Sequence, residues 1–314
     1  MIAWGVNALN HGSSLAVFKD GVLKEFSVSN TDDSLPGDFT RQALAHGAPT
    51  DIFWYERPWV KKARQLRAGQ YATALNMSTL PSRWVKDRKF SWVKMHYTPH
   101  HASHAAAGYY TSPFEHCAVV VLDAIGEFEC ATIWEGRQDK LKKVWSRSYP
   151  NSLGLFYSAF TKLIGLEPIK QEHLLQQMAA QGNPECYYYD VKSYIDFTVR
   201  LTRNLHRGVL DWPYPIETLQ DQCNIAAAVQ RVFEDQVSAV MLKARQLIDT
   251  DNLVYMGGCA MNSKANEYEV KAWNRVWSLP NPGDPTSSIG AVLYHTKQRV
   301  YRDWGPVKHI EIKI

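Results

Sequence analysis

One pattern occurs twice in this chain, and it constrains the fold more than any other feature. Residues 2–9 read as a short buried strand and 15–18 as a second, and Asp20-Gly21 is a two-residue hairpin signal into a third strand at 22–28. Residues 117–122 are an apolar run, 129–135 a second strand, Arg137-Gln138-Asp139-Lys140 a turn, and 141–148 a return strand. Helical sequence follows each meander. A sheet must bury a face against such a layer, so two related lobes around a cleft are expected.

Between the two meanders lies Thr98-Pro99-His100-His101-Ala102-Ser103-His104, followed by three alanines. Thr98 suits a helix cap and Pro99 its first position, which sets His100 and His104 one turn apart on one face. That spacing is a two-ligand metal half-site. A zinc protease is disfavoured, because His101 stands where His-Glu-x-x-His needs its glutamate.

Other polar residues gather at strand ends. Asn10-His11-Gly12-Ser13-Ser14 forms a polar loop able to offer amides and hydroxyls to an anion. The apolar run at 117–122 ends in Asp123-Ala124-Ile125-Gly126-Glu127, a carboxylate and free amides at a sheet edge. A strand at 252–256 runs into Gly257-Gly258-Cys259-Ala260-Met261-Asn262, where the glycines permit close backbone approach to a ligand and Asn262 can hydrogen-bond it. Asp284 arrives in a tight Pro-Gly loop before a closing helix at 287–294. Helices are also read at 41–45, 152–164, 172–181 and 221–249, and a strand-like segment at 187–201.

Five scattered cysteines without a Cys-x-x-Cys pair suggest neither a disulfide framework nor a cysteine zinc site, and a reducing cytoplasm fits best. The amino terminus lacks a basic lead and no window approaches 18 apolar residues, so neither a signal peptide nor a membrane span is expected. Charge is unevenly placed. Residues 57–97 hold ten cations against one acid, +9 in a chain whose net is +4, which leaves −5 elsewhere. Interleaved there are Trp59, Tyr71, Trp84, Phe90 and Trp92. Such a segment is either a solvated helical hairpin with inward aromatics or a surface whose cations track a phosphate backbone while aromatics stack on bases.

In this order the motifs resemble the O-carbamoyltransferases of nodulation-factor and antibiotic biosynthesis, and more distantly the threonylcarbamoyl transferases of tRNA modification. The matching stretches are Gly5-Val6-Asn7 with His11-Gly12-Ser13-Ser14, Tyr55-Glu56-Arg57-Pro58, His100 to Ala105, Val121 to Glu127, Ser152 to Tyr157, Gly257 to Asn262, and Asn281-Pro282-Gly283-Asp284. The resemblance implies an α/β, actin-like (ASKHA) two-lobed fold, each lobe a ribonuclease-H-like mixed sheet with helices. We expect one lobe at 1–115 with a basic insertion at 57–97, and another at 116–314 with its closing helix at 287–298. It implies a metal, Fe(II) or alternatively Zn or Mn, held by His100, His104 and Asp284. The implied donor is carbamoyl adenylate, or carbamoyl phosphate with ATP. Asp123, Gly126 and Glu127 would line its phosphate region and Gly257, Gly258 and Asn262 its nucleoside region, with Ser13 a further donor-binding residue. His11, His101 and Asp123 are the implied catalytic groups. Where the family carries a lysine before its long helix this chain has Gln176, and it lacks the further adenylate-forming domain of larger members, so a separate source of adenylate is one expectation.

The acceptor is read from the basic segment. Arg57, Trp59, Lys61, Lys62, Arg64, Arg67, Arg83, Trp84, Lys86, Arg88 and Trp92 make DNA the expected partner, with the hydroxyl of 5-hydroxymethylcytosine as acceptor. A small sugar or nucleotide acceptor is a second reading. A non-catalytic nucleic-acid-binding protein is a third.

Overall fold

The computed structural model describes residues 1–10, 12–29, 39–87, 90–269, 273–302 and 304. The first lobe contains β1 (Ile2–Asn10), β2 (Gly12–Lys19), β3 (Val22–Ser29), α1 (Phe39–His46), β4 (Asp51–Trp54), α2 (Pro58–Arg67), α3 (Tyr71–Leu75), α4 (Pro81–Asp87) and β5 (Lys94–Tyr97). Helix α5 (His100–Thr111) leads to β6 (His116–Gly126), β7 (Glu129–Arg137) and β8 (Lys140–Ser148). Then come α6 (Leu153–Leu163), α7 (Glu172–Ala179), α8 (Tyr188–Lys192), the short pair β9 (Ile195–Asp196) and β10 (Arg200–Leu201), and α9 (Leu219–Leu247). The last elements are β11 (Asn252–Met256), α10 (Ser263–Glu269), β12 (Arg275–Trp277) and α11 (Ser287–Thr296).

The two large sheets have one topology. Their orders are β3-β2-β1-β4-β5 and β8-β7-β6-β11-β12. In each, an antiparallel meander is extended by two parallel strands. The meander hairpins read from the sequence are both present. Strand β5, Lys-Met-His-Tyr, was hidden from sequence inspection by its polar alternation within the basic segment.

Strand alternation divides the interior. Trp4 points to a cluster with Phe39, Trp84 and Phe90, with ring centroids 5.0–5.5 Å apart. On β6, Ala118, Val120 and Leu122 join the core built with α6 and α9, whereas Cys117, Val119 and Val121 join the core shared with α5 and α11. All twelve residues of α5 are buried. Small side chains let it fit: a Cβ on Gly290 of α11 would fall 1.7 Å from the Ser103 carbonyl oxygen.

Each lobe's following helix packs on the other lobe. Helix α5, which follows the first sheet, lies against β6 and β11, and α11, which follows the second, lies against β1 and β4. The closing helix therefore packs on the first sheet. Thr98 does not cap α5, whose N-cap is Pro99; its hydroxyl instead bonds the Ala291 carbonyl of α11 at 3.3 Å.

The strand expected at 187–201 resolves into a 3-10 turn, α8 and a two-residue strand pair, because its tyrosines dock sideways, Tyr188 on Asp235 of α9 and Tyr194 on Asp211. Among the described residues no helix is long and apolar enough to cross a membrane.

Candidate metal centre and cleft

Four side chains converge between the sheets. His100 and His104 point from the first two turns of α5, Asp123 from the end of β6, and Asp284 from the turn before α11. His100 Nε2 lies 3.0 Å from Asp123 Oδ2 and 3.3 Å from Asp284 Oδ1. His104 Nε2 lies 3.8 Å and 3.2 Å from the same oxygens. The two ring nitrogens face each other at 3.1 Å. These atoms, all within 4.8 Å of one another, form the metal-capable group found among the described residues.

Electrostatics agree with a site built for positive charge. Burial disfavours a charged His100, but Asp284 and Asp123 outweigh it and push the imidazole well above its usual range. Burial would raise both carboxyls, yet the paired imidazoles hold Asp123 and Asp284 below the ordinary carboxylate range. Ser287 Oγ at 3.2 Å from His104 Nδ1 fixes that ring from behind.

Sequence motifs meet the cluster through backbone. The Gly258 N–H donates to Asp123 Oδ1 at 3.2 Å, and a Cβ at Gly258 would stand 2.9 Å from that oxygen. A Cβ at Gly126 would fall 2.3 Å from His100 Cδ2, so the β6–β7 turn rests directly on the histidine rings. Ser152 caps α6 at 3.0 Å from the Leu155 N–H and its hydroxyl donates to the Ala124 carbonyl, tying α6 to the same turn.

Asp123, expected as a catalytic group, thus joins the histidines as a fourth donor. It follows Val119 and Val121 on the α5-facing side of β6, a periodicity the sequence carries without saying which face is which. His101 is buried with Nδ1 2.9 Å from Thr132 Oγ1 and Nε2 unpartnered. Burial, and then the neighbouring His100 charge, keep it well below the usual imidazole range. His11 lies outside the described residues. Ser13 is buried in β2, and the pleat turns Ser14 instead towards the Asp284 turn.

Two expected donor-binding residues are already engaged. Glu127 accepts the Arg57 N–H at 2.6 Å and the guanidinium at 2.5–3.2 Å. Asn262 and Gln230 exchange reciprocal amide bonds of 2.9 and 3.0 Å, and Asn262 also takes the Ala265 N–H at 3.1 Å. Gln230 lines an adjoining cavity of about 520 Å³ with Gln176, Arg231, Glu234 and Lys264.

The basic segment divides between structure and surface. Lys62 is buried, its Nζ donating to the carbonyls of Thr73, Ala74 and Asn76 at 3.3, 3.1 and 2.7 Å. Arg64 is buried against Gln70, Trp84 lies in the core, and Lys61 pairs with Glu56 at 2.7 Å. Lys62, Arg64 and Trp84 are therefore not a nucleic-acid face. Trp59, Arg67, Arg83, Lys86 and Trp92 are exposed, and Arg88 lies outside the described residues.

Paired sheets of one topology, crossed helices and a His/Asp cluster at the cleft define an actin-like two-lobed protein. Solved structures agree on the fold: T. kodakarensis HypF aligns over 94% of this chain and 47% of its own, with a TM-score of 0.52 at 12% identity. Component A of Acidaminococcus fermentans (R)-2-hydroxyglutaryl-CoA dehydratase aligns over 95% and 99%, with a TM-score of 0.50 at 12% identity. The chain belongs to the carbamoyltransferase N-terminus family, whose model matches residues 61–293. An uncharacterised Synechocystis protein, sll1178, is 24% identical over 92% of this chain and 56% of its own length. Sinorhizobium fredii nodulation protein NolNO is 23% identical over 68% and 34% respectively. The chain thus spans about half or less of the length of these relatives.

Proposed function

We propose that this protein transfers a carbamoyl group to a hydroxyl acceptor, and the observation that carries the reading is the His100–His104–Asp123–Asp284 cluster in a chain of this family. Two imidazoles and two carboxylates without a thiolate suit Fe(II), Mn(II) or Zn(II). Bound there, the metal supplies a Lewis acid for the phosphate of carbamoyl phosphate or carbamoyl adenylate. Gly126 packs on the His100 ring and Gly258 on Asp123, which supports a phosphate site at their backbone, and the cavity lined by Gln230, Arg231 and Lys264 is the space we assign to the nucleoside. The acceptor oxygen bonds to the carbamoyl carbon, the carbon–oxygen bond to phosphate breaks, and phosphate or AMP leaves with its electron pair. The hydroxyl proton passes to a cleft base, for which His11, in the polar loop read from the sequence, is the candidate.

The acceptor we propose is a hydroxymethylated base in DNA. Its support is that Trp59, 61% accessible, Trp92, 70% accessible, and the cations Arg67, Arg83 and Lys86 are all exposed within one insertion. Incubation with metal, carbamoyl phosphate and 5-hydroxymethylcytosine DNA, with ATP present or omitted, followed by nucleoside mass analysis, tests donor and acceptor together. An added carbamoyl mass supports the reading. Modification of free sugars or nucleosides alone favours a small acceptor, and a requirement for preformed carbamoyl adenylate places the adenylate-forming step outside residues 1–314.

A further inference from the structure

Beside the cluster, on the first sheet, a carboxamide is buried without partners next to a buried phenol. Asn7 is fully buried, and neither its Oδ1 nor its Nδ2 is hydrogen-bonded. The Tyr55 hydroxyl is buried beside it and has only the adjacent Glu56 carboxylate, which also takes the Lys61 ammonium. Polar groups are not ordinarily left as Asn7 is in a protein interior, and the two orphaned atoms of one carboxamide point to a missing ligand.

Register places them. Asn7 pairs with Ser14 on one side, and on the other Val6 is level with Trp54, so Tyr55 follows beside Asn7. Ser14, Asn7 and Tyr55 form one row across β2, β1 and β4, on the face opposite Trp4 and Trp54. Ser14 Oγ reaches Pro285 O at 2.5 Å, next to Asp284, and the Tyr55 ring stands edge-on to His100 with centroids 5.3 Å apart. Asn7 lies between those two anchors, and the row faces the His/Asp cluster.

A carboxamide offers one donor and one acceptor side by side. Its complement is another planar primary amide, as the Asn262–Gln230 pair in this chain demonstrates with reciprocal bonds of 2.9 and 3.0 Å. A carbamoyl group has that shape: an oxygen and an NH₂ on one carbon. We propose that Asn7 and Tyr55 form the pocket that reads the carbamoyl group, Asn7 pairing with its amide edge and the Tyr55 hydroxyl donating to its oxygen. The inference rests on the carbamoyl-transfer reading and assigns selectivity for the amine to Asn7. As the acceptor attacks, charge grows on the oxygen that Tyr55 faces, so Tyr55 acts on turnover more than on binding.

Acetyl phosphate replaces the amine by a methyl group and keeps the phosphate, which makes it the discriminating probe. Metal-loaded wild type is expected to prefer carbamoyl phosphate to acetyl phosphate by at least about 100-fold in kcat/KM and to bind it more tightly by calorimetry. Asn7→Leu should bring the two donors within about 10-fold of each other while the ligand-free protein melts at or above the wild-type temperature, since an unpaired amide has been replaced by a hydrocarbon. Tyr55→Phe should lower kcat about 100-fold with KM little changed. Asn7→Leu that keeps wild-type selectivity, or that melts several degrees lower, overturns the assignment while leaving carbamoyl transfer intact. Wild type that neither binds nor transfers carbamoyl phosphate overturns both.

Discussion

Glu127 and Arg57 join the lobes at the mouth of the cleft. Glu127 stands in the left-handed region at φ 59° in the β6–β7 turn, and its carboxylate holds both the Arg57 backbone N–H and its guanidinium. Arg57 immediately precedes α2, so this one carboxylate fixes where the basic insertion departs from the first sheet.

Loss of that carboxylate orphans a backbone donor and unties the insertion. Glu127→Ala is expected to lower stability by about 1–3 kcal/mol in urea denaturation. Arg57→Ala should cost less, because its guanidinium is 45% accessible and Glu127 then still accepts the N–H at residue 57.

Single ligand substitutions should separate metal loading from folding. His104→Ala and Asp284→Ala are expected to reduce bound metal, measured by mass spectrometry after purification and buffer exchange, to under a tenth of wild type. Asp123→Asn keeps an oxygen for coordination but loses charge, and should weaken metal affinity by about 10–100-fold. Wild-type metal content in all three variants would remove the cluster from consideration as the metal site.

Acid and base act oppositely on the metal-free cluster. The raised His100 value means its protonated pairing contributes stability fully present below the unfolded value near 6.5, and lost as pH rises through the raised folded value. The depressed Asp123 and Asp284 values contribute stability present above the unfolded value near 3.9, and lost as pH falls through the folded values. Metal competes with the His100 proton, so below that raised value metal uptake should release protons, visible as buffer-dependent heats in calorimetry. Identical heats in all buffers at pH 6.5 would contradict it.

The insertion offers a clean separation of fold from surface. Lys62→Met should destabilise by about 1–2 kcal/mol, since the Ala74 carbonyl loses its donor while those of Thr73 and Asn76 keep the Asn76 N–H and the Thr79 hydroxyl, without a specific effect on DNA affinity in the surviving folded fraction. Neutralising Arg67, Arg83 and Lys86 together should leave the melting temperature within a degree or two. It should also flatten the salt dependence of DNA affinity by about two to three units of log–log slope. An unchanged slope would return the insertion to a solvated hairpin.

The doubled meander was legible because hairpin signals and strand periodicity are local, and His100 and His104 because one helical turn fixes their neighbourhood. Asp284 was read through motif order, having no local signal tying it to residues almost two hundred positions earlier. Other features needed the packed molecule. Asp123 was visible as a strand-end carboxylate, but its orientation depends on which face of β6 meets α5. Lys62 looks like any other lysine in a charged run; only α3 and the turn after it give its ammonium three carbonyls. Asn7 sits in a motif the sequence already singled out, yet its lack of partners is a property of neighbours on three strands.

The crossed packing of α5 and α11 makes the two halves hostages of one another. A chain divided between the sheets would leave each fragment with a helix whose partner sheet is on the other piece, so the halves should recover structure only when mixed. The separation of His104 and Asp284 is accordingly set where α5 crosses α11 at Gly290.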